Sequence, residues 1–172
     1  MFDKIGDVPS HPLVIHLPVV LLPLAAFTVL LYIAAPRWRV WSRWWLAGFA
    51  VVGCGGAWLA TQTGERLRDS LHGVDVERHE GFGENTFRWS IALVVVAAAC
   101  IAVDEFRTRS SGGTADIADP AASGLARLFR ARYTAWVLYA LLIAVAAVVV
   151  AYVVAAGHSG AHLVWGNSGD ST

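Results

Sequence analysis

His11-Pro12-Leu13-Val14-Ile15-His16-Leu17-Pro18-Val19-Val20 opens a run that reaches Ala35 without one Asp, Glu, Lys or Arg. About 20 apolar residues cross a bilayer core at about 1.5 Å of helix rise each, so the stretch from Pro12 to Ala35 reads as a membrane span. Pro12 falls in the first turn, where its missing N–H is one of the unused donors, with Ser10 or His11 as the cap. Pro18 and Pro23 fall deeper. Each removes a backbone donor that lipid cannot replace, which predicts a bent helix accommodated by a neighbour. Two imidazoles, His11 and His16, stand at the mouth of this helix.

Three more spans lie downstream. One covers about 44–61 and carries Gly48, Gly53, Gly55, Gly56, Ala57 and Ala60, the small residues that let membrane helices approach closely. The next uncharged run, Trp89 to Val103, is too short alone, so its helix is placed at about 76–103, beginning in a polar stretch that includes His79. The last, about 133–157, is unbroken. Between the third and fourth, Arg107 to Arg132 contains Ser-Ser-Gly-Gly-Thr and Asp-Pro-Ala-Ala-Ser-Gly and reads as a flexible loop. The expected fold is therefore all-α, one integral membrane four-helix bundle over residues 1–172, multi-pass in the inner or plasma membrane.

Composition agrees. Of 172 residues 56% are hydrophobic and 15% charged, which argues against a soluble enzyme, and the 13 basic and 13 acidic residues balance, leaving no electrostatic footprint for nucleic acid. The acidic and basic residues ahead of the first run, and the length of that run, do not fit a cleaved signal peptide, so the first helix is expected to be retained. Cys54 and Cys100 both lie in apolar segments, in opposite halves of their spans, and read as core residues that do not meet.

Four spans put both termini on one side, and the positive-inside rule chooses it. Arg37, Arg39, Arg43, Arg107, Arg109, Arg127, Arg130 and Arg132 lie on one side, eight basic residues against four acidic ones. The other side has five basic residues, Lys4, Arg66, Arg68, Arg78 and Arg88, against nine acidic ones. Both termini are thus expected to be extracytoplasmic. Trp38, Trp41, Trp44, Trp45 and Trp136 then mark the inner interface, and Trp58, Trp89 and Trp165 the outer one.

In this frame all six histidines fall at or near the outer side. His16, His79 and His158 come from three helices at comparable depth, so their rings are expected to converge where bundles build cofactor sites. A b-type haem needs one or two imidazoles, an apolar slot and cations near the propionates. The slot would lie around Gly55-Gly56 and Gly81-Gly83, with Arg66, Arg68, Arg78 or Arg88 at the rim. Histidine with Glu65, Glu77 or Glu80 instead makes a mixed donor set for zinc, iron or copper. His158 and His162 have a chelating i, i+4 spacing, although Gly157 and Gly160 argue against helix there. Against these stands the plain alternative that boundary histidines are comfortable without any ligand, as His72 in its polar loop must be.

The His-Pro-x-x-x-His-x-Pro opening, Thr63 or Gly64 with Glu65 closing the second helix, His79 entering the third, and Gly157-His158-Ser159-Gly160-Ala161 followed by Val164-Trp165 form a recognisable set. In these motifs the chain resembles the bacterial membrane family catalogued as domain of unknown function 2231, in an actinobacterial form. The resemblance covers nearly the whole chain and implies a four-helix membrane domain without an established activity. Some members are joined to Rieske or cytochrome c modules, which implies redox company. It carries over to His11, His16, Glu65, His79 and His158. Other branches have a histidine near position 167, where this chain has Asn167.

Three functions follow as expectations. The first is a non-enzymatic electron-transfer protein, with His16, His79 and His158 as candidate haem or metal ligands, His11 and Glu65 around them, and a redox partner. The second is a cofactor-free accessory subunit of a larger membrane complex. The third is a metal-handling or transport protein using the same histidines with Glu65 and Glu77. The orientation is tested separately: an extracytoplasmic reporter fused after Thr172 is expected to be active and a cytoplasmic one silent, and the reverse pattern inverts the assignment.

Overall fold

Inside a bilayer every backbone N–H and C=O must bond within the protein, so four long apolar runs have to become four helices. The computed structural model describes residues 4–5, 8–9, 14–68, 77–112 and 132–165, with side-chain surroundings for 14–65, 77–109 and 133–162. The helices are α1 (His16–Ala34), α2 (Arg39–Arg68), α3 (Glu77–Gly112) and α4 (Arg132–Trp165), with a 3₁₀ turn at Pro36–Trp38 between the first two. Two short strands precede them, β1 (Lys4–Ile5) and β2 (Val8–Pro9), paired antiparallel with Lys4 opposite Pro9. All four helices are long and apolar enough to cross a membrane, over His16–Ala34, Pro36–Glu65, Glu77–Arg109 and Tyr133–His162.

The ends differ from the expected ones for physical reasons. Ile15 occupies the cap of α1 without a side-chain bond, and the Val19 N–H donates to its carbonyl at 3.2 Å. Ser10, His11 and Pro12 lie outside the described residues. Starting at His16 makes Pro18 the third helical residue, where no intrahelical donor is needed. Pro23 is therefore the proline that interrupts the ladder. α2 begins at Arg39, earlier than expected, because Arg39 and Arg43 find acidic partners across the bundle. α3 begins within one residue of the expected start but runs on to Gly112, so Arg107 to Gly112 of the expected loop is helix. Arg109 pairs with Glu105 one turn back and supports that extension. Residues 113–131 lie outside the described part. α4 also continues, through Gly157 and Gly160 to Trp165.

The helices form an up-and-down ring: α1 packs on α2, α2 on α3, α3 on α4, and α4 back on α1. Its core is aliphatic, with Leu22, Val29, Leu46, Leu93, Leu142 and Val149 fully buried. Large apolar residues also cover the outside, as expected of lipid-facing surface, among them Phe27, Val95 and Val137. Trp38, Trp41, Trp44, Trp45 and Trp136 are all exposed around the end where α1 finishes. That arrangement suits an interfacial belt.

Two of the glycines in α2, Gly53 and Gly56, serve close packing. A Cβ added to Gly56 would lie 2.6 Å from Leu17 Cβ and 3.0 Å from Pro18 Cδ, and one on Gly53 would lie 2.8 Å from Leu22 Cδ2. Those two glycines let α1 lie against α2. Gly48 and Gly55 have nothing within 4 Å of an added Cβ, because they face outward. Gly56→Val is therefore expected to destabilise the bundle by about 2 kcal/mol through overpacking, whereas Gly48→Ala is neutral or stabilising by about 0.5 kcal/mol through helix propensity. Thermal unfolding in detergent, followed by circular dichroism, checks the contrast; equal effects would contradict the facing assigned to the two glycines.

Candidate functional site

His79 enters α3 in its first turn and reaches across to the end of α4. Its Nδ1 lies 3.1 Å from the Ala156 carbonyl oxygen and 3.1 Å from Ser159 Oγ. A carbonyl only accepts, and the Ser159 hydroxyl already donates to that same oxygen at 3.0 Å. Both partners thus accept from the ring, which assigns the proton to Nδ1 and leaves the Nε2 lone pair unused by them. The ring lies on Gly160, where an added Cβ would be 3.0 Å from Cε1 and 3.3 Å from Nδ1. Gly160 is in helix for this reason: it makes room for the imidazole that ties α3 to α4.

The other candidate histidines stand differently. At about 100° per residue, Gly160 lies about 20° from buried Val153, while His158 and His162 lie about 140° and 180° away from it. Both are exposed and turned away from His79. Their rings meet edge to face, with centroids 4.7 Å apart and planes at 83°. His16 is exposed at the start of α1, about 120° round from buried Leu22. Glu65 is exposed near the end of α2. His11 lies outside the described residues, as does His72. Convergence of His16, His79 and His158 on one interior point is thus not what the helices produce, because three-helix proximity does not fix rotation about each axis. Among the described residues, no three His, Cys, Asp or Glu side chains form a group that would hold a metal ion.

The glycines, arginines and cysteines named with His79 stand as follows. Gly81 and Gly83 are half-buried and have nothing within 4 Å of an added Cβ, which leaves space beside α3. Arg78 sits over the Phe82 ring at 5.8 Å, and Arg88 pairs with Glu84 on the exposed face. Arg66 and Arg68 side chains lie outside the described set. Cys54 is free and half-buried, and Cys100 is buried with its thiol 3.6 Å from the Leu138 carbonyl, so the two cysteines remain separate.

The opposite end of the bundle holds a polar group that reading the chain by charge count missed. Asp104, near the end of α3, accepts from Tyr32 of α1 at 2.6 Å and from Tyr139 of α4 at 2.7 and 2.8 Å. Arg39 of α2 places Nη1 3.6 Å from the same carboxylate and its guanidinium 5.4 Å from the centroids of both tyrosine rings. It also donates through Nε to the Tyr32 carbonyl at 3.1 Å. Every helix thus contributes one side chain. Beside this group Arg43 pairs with Glu105, the residue next to Asp104. The signal available in the chain is an acid closing a long uncharged run, with tyrosines near the same end of two other spans.

Compared with known proteins, the chain matches a family described as a predicted membrane protein, DUF2231, over residues 7–170. No curated protein and no solved structure matches it.

Removing the shared carboxylate separates this polar group from ordinary packing. Asp104→Ala leaves the Arg39 cation half-buried without its acid and is expected to cost about 3–5 kcal/mol. Tyr139→Phe, which deletes one donor, is expected to cost about 1 kcal/mol. Unfolding in mixed detergent measures both, and an Asp104→Ala protein as stable as the parent would show that the group holds nothing together.

Proposed function

Because the chain belongs to the DUF2231 family of predicted membrane proteins, whose description carries no activity, we propose from geometry that it is an electron-transfer protein binding a b-type haem through His79. The observation that carries this reading is the pair of bonds at His79 Nδ1. Histidines that bind metals commonly donate their other ring N–H to a carbonyl or carboxylate, which fixes the tautomer and directs the remaining lone pair to the ligand. His79 has that arrangement, with Ala156 and Ser159 as acceptors.

One axial imidazole is enough for haem, whereas a tetrahedral metal site needs three or four protein ligands. A single oriented histidine therefore favours haem over zinc, iron or copper held by His79 with Glu65. In this reading haem supplies a reversible one-electron couple. The protein's own part is to orient Nε2, to exclude water with the apolar faces of α3 and α4, and to keep the imidazole in one tautomer. His16 and His11 are the candidates for a second ligand. The positive-inside rule, applied to Arg37, Arg39, Arg43, Arg107 and Arg109 at the opposite end, supports an extracytoplasmic His79 end, where a redox partner would meet it.

A second reading is favoured by the same contact. The His79 bonds join α3 to α4 directly, so the residue can serve as an interhelical tie in a cofactor-free accessory subunit. A reduced-minus-oxidised visible spectrum of the purified full-length protein, with metal analysis on the same sample, separates the two. Sharp haem bands that vanish in His79→Ala while the helical content persists are expected. A colourless, metal-free parent protein leaves the accessory reading; stoichiometric metal without haem bands moves the assignment to metal handling. His16→Ala alters the band positions if His16 is the second ligand and leaves them unchanged if it is not.

A further inference from the structure

We infer that His158 and His162 form a two-imidazole clamp for a divalent transition-metal ion, copper(II) foremost, on the face of α4 turned away from the bundle. The continuation of α4 through Gly157 and Gly160 to Trp165 makes this possible. Residues four apart on a continuous helix lie one turn apart on the same face, and a histidine pair at that spacing chelates one ion. Here the two rings already touch, with centroids 4.7 Å apart and planes nearly perpendicular. The pair needs no rearrangement of the backbone, only rotation of the rings to bring two lone pairs to a common point.

Access and charge both suit an ion. His158 and His162 are exposed, and the position beside them at Gly157 has nothing within 4 Å of an added Cβ. The pair lies past Val153, the last buried core residue of α4 among the described ones, at the end of the candidate span Tyr133–His162. After Arg132 at its far end α4 carries no Lys or Arg, so no cation on the same helix stands near the pair to oppose a metal ion. Neutral imidazoles are borderline nitrogen donors, and for such donors affinity rises along the first-row divalent ions to copper and falls at zinc. Magnesium and calcium, which prefer oxygen, are excluded by the same chemistry. Two side-chain ligands leave the other positions to water, so the ion exchanges readily. The clamp faces away from His79 and is independent of the haem reading.

The test titrates copper(II), zinc and magnesium into the full-length protein, purified through a non-histidine tag, and reads affinity by calorimetry and nitrogen coupling by electron paramagnetic resonance. One copper(II) with coupling to two imidazole nitrogens is expected, with zinc weaker and magnesium silent. His158→Ala and His162→Gln each weaken copper binding by at least about tenfold and remove one nitrogen, because a chelate becomes a single ligand. His79→Ala leaves copper affinity unchanged. Copper binding that survives the double variant at parental strength, or that disappears with His79→Ala in a protein still helical, overturns the assignment. Both clamp positions are exposed, so circular dichroism and size exclusion of the variants should match the parent.

Discussion

The bundle depends on one carboxylate. Asp104 sits near the membrane boundary with a side chain only 15% exposed, and an ionised acid at such a place requires partners. Tyr32, Tyr139 and Arg39 supply them from the three other helices, and each bond fixes an axial position as well as a contact. Apolar packing between lipid-facing helices has little directional preference, since lipid tails are as apolar as leucine. A shared carboxylate does have direction. It sets how far α1 and α4 slide against α3, and it places Arg39 where α2 begins.

That lock lies at one end, and the glycine contacts lie towards the other. Leu17 and Pro18 approach Gly56, Leu22 approaches Gly53, and the His79 ring lies on Gly160. With Asp104 fixing the register where α1 and α3 end, close backbone approach governs the spacing where α1 and α3 begin. α1 and α2 meet through glycine and aliphatic side chains there. α3 and α4 meet there through a hydrogen-bonded ring seated on Gly160.

The architecture was legible because the controlling quantity is local: the uncharged runs 12–35 and 133–157 are long enough to cross the bilayer core as helices, and the shorter run 89–103 reaches that length with its polar flank. Helix ends were less so. Arg39, Arg43, Asp104 and Glu105 look like loop charges until Arg43 meets Glu105, 62 positions away, and Arg39 meets Asp104, and only then does helix extend through them. Which glycines pack was also hidden. Gly53 and Gly56 differ from Gly48 and Gly55 by rotation about the axis of α2, and that rotation is set by α1. The same limit applied to histidines, since similar depth along three helices does not make three rings face one another. His79 was legible as a candidate from its position at the start of α3, whereas its tautomer required Ala156, 77 residues later.

The chemistry available at the two ends follows from how many lone pairs each group has left. Asp104 accepts from two phenols and faces a guanidinium, so its acceptors are committed to the fold and a ligand could enter only by breaking helix contacts. His79 spends one nitrogen on α4 and keeps the other. A ring oriented through one nitrogen, here by two acceptors, can in general engage its second nitrogen without disturbing what holds it. The two ends of the bundle therefore differ: a carboxylate with its acceptors engaged joins all four helices at one end, and an imidazole bonded through Nδ1 joins α3 to α4 at the other.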